Sequence, residues 1–176
     1  MKDAQGEWIV ISEADATGLI EYLNPQWKLP AKILYHYGLR VSEVLGLTSE
    51  HFRDDYTVLV LQRLEKGLKT RQHVLPELRT QIMEIASQRA PGARLFPWSR
   101  VCFWKALQTA AFRSGIIHPR YAHPHAFRHM CGRRWAAKQG TTINELQGML
   151  GHRTIAASLM YSQLACSPEL SKKFLL

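Results

Sequence analysis

Apolar residues recur at helical spacing along most of the chain, and residues with special backbone preferences mark the expected helix ends. Ser12, followed by acidic residues, predicts a helix that runs to about residue 23. The pair Asn24-Pro25 breaks that helix, and Gly38 ends a second one expected from about residue 30. Further helices are expected at residues 42–47, 77–88 and 99–114, around 125–129, at 142–150, from 154 through 161, and after 167.

Residues 55–75 follow the shorter period of β-structure. Residues 55–61 are rich in β-formers, residues 65–67 favour a turn, and residues 70–75 alternate polar and apolar before Pro76. This pattern predicts a β-hairpin with Lys66 at its tip. The fold class that follows is mainly α-helical with a small antiparallel β-sheet.

Two of the helices carry specific local predictions. Ser42 should cap the short helix at 42–47, with Glu43 near its start. In the helix at 99–114, the Trp and Phe side chains are interpreted as core rather than as platforms that stack on bases. Phe103 lies outside the apolar face expected for that helix, which consists of Val101, Trp104, Leu107 and Ala111.

Length and composition predict a single cytosolic domain spanning residues 1–176. A chain of 176 residues with 46% hydrophobic content can bury a substantial core. No run of 18 apolar residues occurs, and the N-terminus lacks the apolar stretch of a secretory signal. The cysteines are odd in number and lack Cys-x-x-Cys spacing, which favours reduced thiols; they are Cys102, Cys131 and Cys166.

Positive charge is concentrated in the second half of the chain. Residues 89–176 contain 13 Lys+Arg against 2 Asp+Glu, a net charge of +11, whereas residues 1–88 contain 10 against 12, a net charge of −2. A basic field of this kind indicates a polyanionic partner, and nucleic acid fits the aromatic content better than a membrane surface does. A merely basic domain without such a partner is the alternative that charge alone leaves open.

The residues that can handle phosphate and protons follow one another at short, regular offsets. His125 and Arg128 are three apart, so their side chains leave the same face of a helix. The planar guanidinium of Arg128 can give two parallel hydrogen bonds to a phosphate, which a lysine cannot do. His152 precedes Tyr161 by nine residues, and Arg40 lies at a helix junction. These are the parts needed for attack on a phosphodiester by a phenolic oxygen.

These parts resemble the C-terminal catalytic domain of the tyrosine recombinases, the phage-type integrases. The resemblance rests on four motifs in the family's order: Gly-Leu-Arg-Val-Ser-Glu-Val-Leu-Gly-Leu at 38–47, His-Ala-Phe-Arg-His at 125–129, Leu-Gly-His at 150–152, and Tyr161. It covers nearly the whole chain. It implies a site-specific enzyme that cuts and rejoins double-stranded DNA, and that needs neither ATP nor metal because a 3′-phosphotyrosyl link conserves the bond energy.

The resemblance also implies a role for each motif residue. Tyr161 would be the nucleophile, and Arg40 and Arg128 would neutralise charge on the phosphate oxygens. His125 would be the general base, and His152 would hydrogen-bond a phosphate oxygen. The residue that protonates the leaving 5′-oxygen would be Lys66, with Lys69 as a second candidate because Glu65 replaces the family's usual glycine. Further contacts to DNA are expected from Lys69, Arg71, Arg100, Arg120, Arg133 and Arg153.

Assembly is a further expectation from the family. Recombinases of this kind act as tetramers on paired sites, and residues 168–176 form an apolar tail that could dock on a neighbouring protomer or on its own domain. The family's N-terminal DNA-clamping domain is absent from these 176 residues.

Three other functions use the same residues. A metal site could be formed by His125 and His129, which are four apart, with His123 and Cys131 nearby, although no third ligand has a diagnostic spacing. A non-catalytic DNA-binding fragment or regulator could keep the fold. A type IB topoisomerase uses nearly the same catalytic residues, but Leu-Gly-His before the tyrosine favours the recombinases.

Overall fold

The computed structural model describes residues 11–63, 68–152 and 154–166, which form helices around a core and a small sheet at one side. The sheet has the order β1-β2-β3 and is antiparallel throughout, with β1 at Phe52–Arg53, β2 at Val58–Arg63 and β3 at Leu68–His73. The mainly α-helical fold class with a small antiparallel sheet is confirmed. Its helices are α1 (Glu13–Glu21), α2 (Pro25–Tyr37), α3 (Val41–Leu45), α4 (Pro76–Ser87), α5 (Arg100–Ser114), α6 (Pro124–Ala137), α7 (Ile143–Leu150) and α8 (Ile155–Cys166).

Most of the predicted helix ends are confirmed by their capping contacts. The Ser12 hydroxyl accepts a hydrogen bond from the Asp15 amide, and the Asp15 carboxylate accepts one from the Ser12 amide, so two otherwise unpaired donors are satisfied. Thr142 and Glu145 form the same arrangement at the start of α7. Gly38 and Gly151 end α2 and α7 with φ values of 57° and 61°, a conformation that favours glycine.

Two helix starts differ from the prediction. Helix α2 begins at Pro25, not near residue 30, because a proline in the first turn loses no hydrogen bond, and Pro30 is accommodated inside the helix with its ring buried. Helix α3 begins at Val41, with Arg40 and not Ser42 at the cap position. The Glu43 carboxylate reaches back to accept the Arg40 amide at 2.6 Å, which takes over the capping role expected of Ser42.

The predicted apolar face of α5 is confirmed at Leu107 and Ala111, which are buried, and was wrong at Val101 and Trp104. Val101 is 56% exposed and Trp104 is 41% exposed, whereas Phe103 is fully buried. Phe103 packs on Trp27 with ring centroids 5.6 Å apart, and this contact sets the rotation of the helix. The buried face shares Leu107 and Ala111 with the predicted face and differs at the other two positions; it consists of Phe103, Leu107, Ala110 and Ala111.

The predicted hairpin is confirmed, and β1 adds a third strand to it. Strands β2 and β3 pair in register from Val58 opposite His73 to Arg63 opposite Leu68. The Gln72 side chain on β3 donates to the backbone carbonyl of Met149 in α7 at 3.4 Å. The hairpin is therefore fixed against the C-terminal turn of α7.

The described residues include no helix that is long and apolar enough to cross a membrane. Within the same residues, Cys102 and Cys131 are free thiols, as expected for two of the three cysteines.

Candidate active site

The C-terminal turn of α7 is where distant parts of the chain meet. The last carbonyls of a helix have no partner inside it, and they carry the negative end of its dipole. At this turn the Leu150 carbonyl accepts a hydrogen bond from the Arg128 guanidinium, and the next carbonyl, that of Gly151, accepts one from Arg40 at 3.4 Å. Two positive charges are thus held side by side by consecutive backbone acceptors.

Arg128 is buried, with only 4% of its surface exposed. Its second guanidinium nitrogen donates to the Gly38 carbonyl, just beyond the end of α2, at 2.6 Å. A buried charge is costly unless it is well hydrogen-bonded, and here carbonyls at the C-terminal ends of two helices supply the acceptors. Arg128 therefore links α2, α6 and α7 at the point where the site is assembled.

Arg40 is more accessible than Arg128, with a third of its side chain exposed. Its guanidinium lies 3.5 Å from the Glu43 carboxylate, and the same carboxylate caps the start of α3. The local turn that follows Gly38 therefore fixes the backbone of Arg40 and leaves its head partly open to solvent.

Tyr161 lies beside these arginines and is almost fully buried, at 2% exposure. Its hydroxyl and Nδ1 of His129 are hydrogen-bonded at 2.6 Å. Its ring stacks on the His152 ring, with centroids 5.6 Å apart and planes within 9°. Burial raises the pKa of Tyr161 to about 12, against an opposing effect of the Arg128 charge. The phenol is thus held protonated in this conformation.

His152 is held from both its backbone and its ring. Its amide donates to the Gln147 carbonyl at 3.1 Å, and its own carbonyl accepts from the Gln147 side chain at 3.1 Å. Its Nδ1 lies 2.9 Å from the hydroxyl of Ser158, a fully buried serine of α8. The Nδ1 contact leaves Nε2 as the ring nitrogen directed elsewhere.

The histidines at the start of α6 are kept neutral by their surroundings. Burial lowers the pKa of His129 to about 3 and that of His123 to about 4. Partial burial also lowers the pKa of His125, with Arg128 and Arg40 acting in the same direction. The His125 ring is exposed and its centroid lies 6.1 Å from that of His129. Neutral imidazoles can accept a proton, which charged ones cannot.

Comparison with known families identifies the chain. The sequence profile of the phage integrase family matches residues 10–167. The chain belongs to the phage integrase family.

Known members show the same fold and a distant sequence relationship. The tyrosine recombinase XerD of Chlorobaculum tepidum is 30% identical over 149 residues, which cover 78% of this chain and 48% of that protein. This family member therefore spans about half the length of XerD. The catalytic domain of bacteriophage HP1 integrase superposes with a TM-score of 0.70 at 24% identity, over 96% of this chain and 95% of that domain.

A third comparison is with a recombinase on its DNA. The XerH site-specific recombinase, in a post-cleavage complex with palindromic difH substrate, superposes with a TM-score of 0.71 at 14% identity, over 94% of this chain and 52% of that one. At these identities the superpositions of both structures establish the fold.

Five of the six residues expected to be catalytic converge on the α7 turn. Arg40 and Arg128 contact its carbonyls, His152 follows it directly, Tyr161 stacks on His152, and the pKa of His125 responds to both arginines. Lys66 lies outside the described residues.

The residues expected to bind DNA are spread over several elements. Arg71 is exposed on β3, Arg100 is exposed at the start of α5, and Arg133 is half-buried on α6. Arg120 is exposed in the turn before α6, where its guanidinium lies 4.5 Å from the ring centroid of Tyr121. Arg153 and the side chain of Lys69 lie outside the described part of the chain, although the backbone of Lys69 pairs with Gln62.

Two contacts in the site were not predicted. The sequence indicates His129 as the last residue of the His-Ala-Phe-Arg-His motif and as a metal ligand, yet it bonds the Tyr161 hydroxyl. Ser158 was not singled out, yet it bonds His152. The spacing offered one signal, since His129 shares a helix face with His125, but nothing in the sequence brings α8 to that face. Within the described residues, no group of three or more His, Cys, Asp or Glu side chains could hold a metal ion.

Proposed function

We propose that this chain is the catalytic part of a site-specific tyrosine recombinase, which cuts and rejoins double-stranded DNA through a 3′-phosphotyrosyl intermediate. The observation that carries the proposal is the meeting of Arg40 and Arg128 at consecutive carbonyls of the α7 turn, beside Tyr161 and His152. A pair of cationic side chains next to a phenol suits a phosphodiester better than a neutral substrate.

In the proposed reaction the Tyr161 oxygen attacks the scissile phosphorus and its proton passes to His125. The bond from phosphorus to the 5′-oxygen breaks, and Lys66 supplies the proton that this oxygen needs. Arg40 and Arg128 neutralise the charge that develops on the non-bridging oxygens, worth roughly 3–4 kcal/mol for each well-placed donor. His152, oriented by Ser158, donates to one of the same oxygens. Rejoining reverses these steps with a new 5′-hydroxyl.

The hydroxyl of the buried tyrosine must exchange its hydrogen-bond partner for this reaction. At 2% exposure, and with a pKa of about 12, the Tyr161 phenol is protonated and bonded to His129 in the conformation described. A bound phosphodiester would place negative charge beside His125, which raises the pKa of that ring and makes it a better acceptor for the phenolic proton. DNA would thus provide the activation that this conformation lacks.

Covalent capture tests the proposal. The chain is incubated with nicked duplexes whose central sequence is randomised, and protein–DNA adducts are isolated on a denaturing gel and sequenced. The nick lets the cleaved end diffuse away, so the adduct accumulates. We expect an adduct that survives EDTA, is abolished by Tyr161→Phe, and persists in Tyr22→Phe, which alters an exposed tyrosine away from the α7 turn.

A non-catalytic DNA-binding regulator is the second candidate, and the burial of Tyr161 is the observation that favours it. The same experiment separates the two functions. Retained DNA binding without an adduct, from this chain and from the full-length product of its gene, would contradict the recombinase proposal and support the regulator. Relaxation of supercoiled plasmid without strand exchange would instead indicate topoisomerase activity.

A further inference from the structure

The hydroxyl of the proposed nucleophile is held by a residue to which the proposed reaction gives no role. The Tyr161 hydroxyl lies 2.6 Å from Nδ1 of His129, whereas His125 lies one turn earlier in α6, with its ring centroid 6.1 Å from that of His129. The His129 and Tyr161 rings have centroids 5.7 Å apart and are tilted by 35°. The partner of the buried phenol is thus His129.

Helix α6 provides a packing surface for the tyrosine ring and a hydrogen-bond partner for its hydroxyl. His129 and Gly132 are three apart and share one face of the helix. A Cβ on Gly132 would lie 2.9 Å from Cε1 of Tyr161, so only glycine lets the ring lie flat on the helix at this point. His129 is hydrogen-bonded to the hydroxyl, Gly132 leaves space for the ring, and the His152 ring stacks on it.

This packing surface lies on the same helix as the arginine that would bind the phosphate. His129 follows Arg128 directly in α6, and Arg128 is fixed by carbonyls from α2 and α7. The backbone positions of His129 and Arg128 are therefore fixed relative to each other. Such fixed placement lowers the entropy cost of reaching the attack geometry, and a displacement of about 1 Å can cost on the order of 100-fold in rate.

We propose, on the basis of the proposed function, that His129 is a positioning residue that holds the Tyr161 hydroxyl beside Arg128 until a DNA phosphate replaces this hydrogen bond. The role differs from that of a general base. Burial lowers the pKa of His129 to about 3, with neighbouring His125, His123 and Arg128 acting in the same direction, so its ring stays neutral and holds the hydroxyl without taking its proton.

A set of three substitutions tests which atom of His129 matters. Asparagine places a polar atom close to the position of Nδ1, glutamine places one close to Nε2, and leucine removes both. In His129→Leu we expect adduct formation at saturating DNA to slow by 10- to 100-fold, with the DNA dissociation constant within 3-fold of the wild type. His129→Asn should recover most of the rate, and His129→Gln should recover little.

This order cannot come from packing alone, because asparagine leaves the larger gap and should be the less stable of the two polar variants. The DNA probe is the duplex enriched in the covalent capture with the wild-type chain. A wild-type rate in His129→Leu, or equal rescue by asparagine and glutamine, would overturn the positioning role. So would a loss of DNA affinity equal to the loss of rate.

A measurement without DNA keeps the two proposals distinguishable. Tyrosine labelled with ¹³C at Cζ gives one resonance for each of the six tyrosines, and Tyr161→Phe assigns the one of interest. We expect this resonance to shift in His129→Leu and to return towards its wild-type position in His129→Asn. An unchanged resonance in His129→Leu overturns the contact itself. A shifted resonance, with no adduct from this chain or from the full-length product of its gene, leaves the contact established and overturns both the recombinase function and the positioning role of His129 in it.

Discussion

Arg128 combines two tasks that usually fall to different residues. Its charge would be needed by a phosphate, yet at 4% exposure its nitrogens already donate to the carbonyls of Gly38 and Leu150. A guanidinium has five N–H donors in a planar fork, so it can serve backbone acceptors on one side and keep donors for a ligand. In the proposed function, phosphate binding and folding would therefore depend on the same side chain.

Replacing Arg128 with lysine should damage both tasks. An ammonium group keeps the charge but cannot reach both carbonyls, and one buried acceptor without a donor costs about 1–3 kcal/mol. We expect Arg128→Lys to lower the free energy of unfolding by that amount in urea titrations and to slow adduct formation at least 100-fold. In Arg40→Lys, where a third of the side chain is exposed, the stability loss should be smaller. An unfolding midpoint equal to the wild type in Arg128→Lys would show that the two carbonyl contacts contribute nothing.

Sequence motifs predicted which residues meet in the site, but not what holds them there. The four motifs at 38–47, 125–129, 150–152 and 161, through their resemblance to the tyrosine recombinases, were sufficient to select Arg40, His125, Arg128, His152 and Tyr161. The contacts of Arg128 reach 90 and 22 residues along the chain, and that of His129 reaches 32. Such partners depend on how helices pack, which local spacing does not specify.

At the scale of elements, the pairing of α6 with α8 depends on a glycine. Alanine at a helix interior position is favoured over glycine by about 1 kcal/mol, so helix propensity does not account for Gly132. Its hydrogen faces the Tyr161 ring, and a Cβ would also come within 3.1 Å of Leu150. The close approach of the two helices thus takes precedence over helix propensity.

A pair of glycine-to-alanine substitutions measures this effect. Gly132→Ala forces the Tyr161 ring to move, and such overpacking costs about 1–3 kcal/mol, more than the propensity gain. We expect a net loss of stability on thermal unfolding and adduct formation slowed at least 10-fold. Gly148→Ala in α7 is the matched control, because a Cβ there meets nothing within 4 Å, and it should be stabilised by up to about 1 kcal/mol. Equal stabilisation of both variants would mean that the ring does not rest on Gly132.

Element ends were predicted more accurately than element faces. Ser12, Gly38, Thr142 and Gly151 mark helix ends through their own backbone or side-chain chemistry, so a local reading is sufficient. The buried face of α5 is different, because two sets of apolar residues share the same period and Trp27 decides between them by packing on Phe103. That decision is made by α2, which is more than 60 residues away in the sequence.

At the scale of the whole molecule, the neutral histidines should make the fold sensitive to mild acid. The pKa of His129 and that of His123 fall to about 3 and about 4 in the folded state, below the ordinary value of 6.5. Between these folded-state pKa values and pH 6.5, the unfolded chain therefore binds more protons than the folded chain does. The stabilisation is fully present above pH 6.5 and is lost as the pH falls towards the folded-state pKa values.

This loss of folding stability should be measurable when the pH is lowered from 7 to 5. A group with these pKa values contributes about 2 kcal/mol to that difference, and two such groups together contribute about 2–4 kcal/mol because they are neighbours. The range from pH 5 to pH 7 lies above the pKa values of Glu21 and Glu145, because hydrogen bonds lower both from 4.5. We expect the urea concentration at the unfolding midpoint to be lower at pH 5 than at pH 7. This decrease should be smaller in His129→Asn, which cannot titrate at this position, than in His73→Gln, which alters an exposed histidine. Equal decreases in the two variants would show that burial of His129 does not control its protonation, and the neutral ring assigned to the Tyr161 contact would then be wrong.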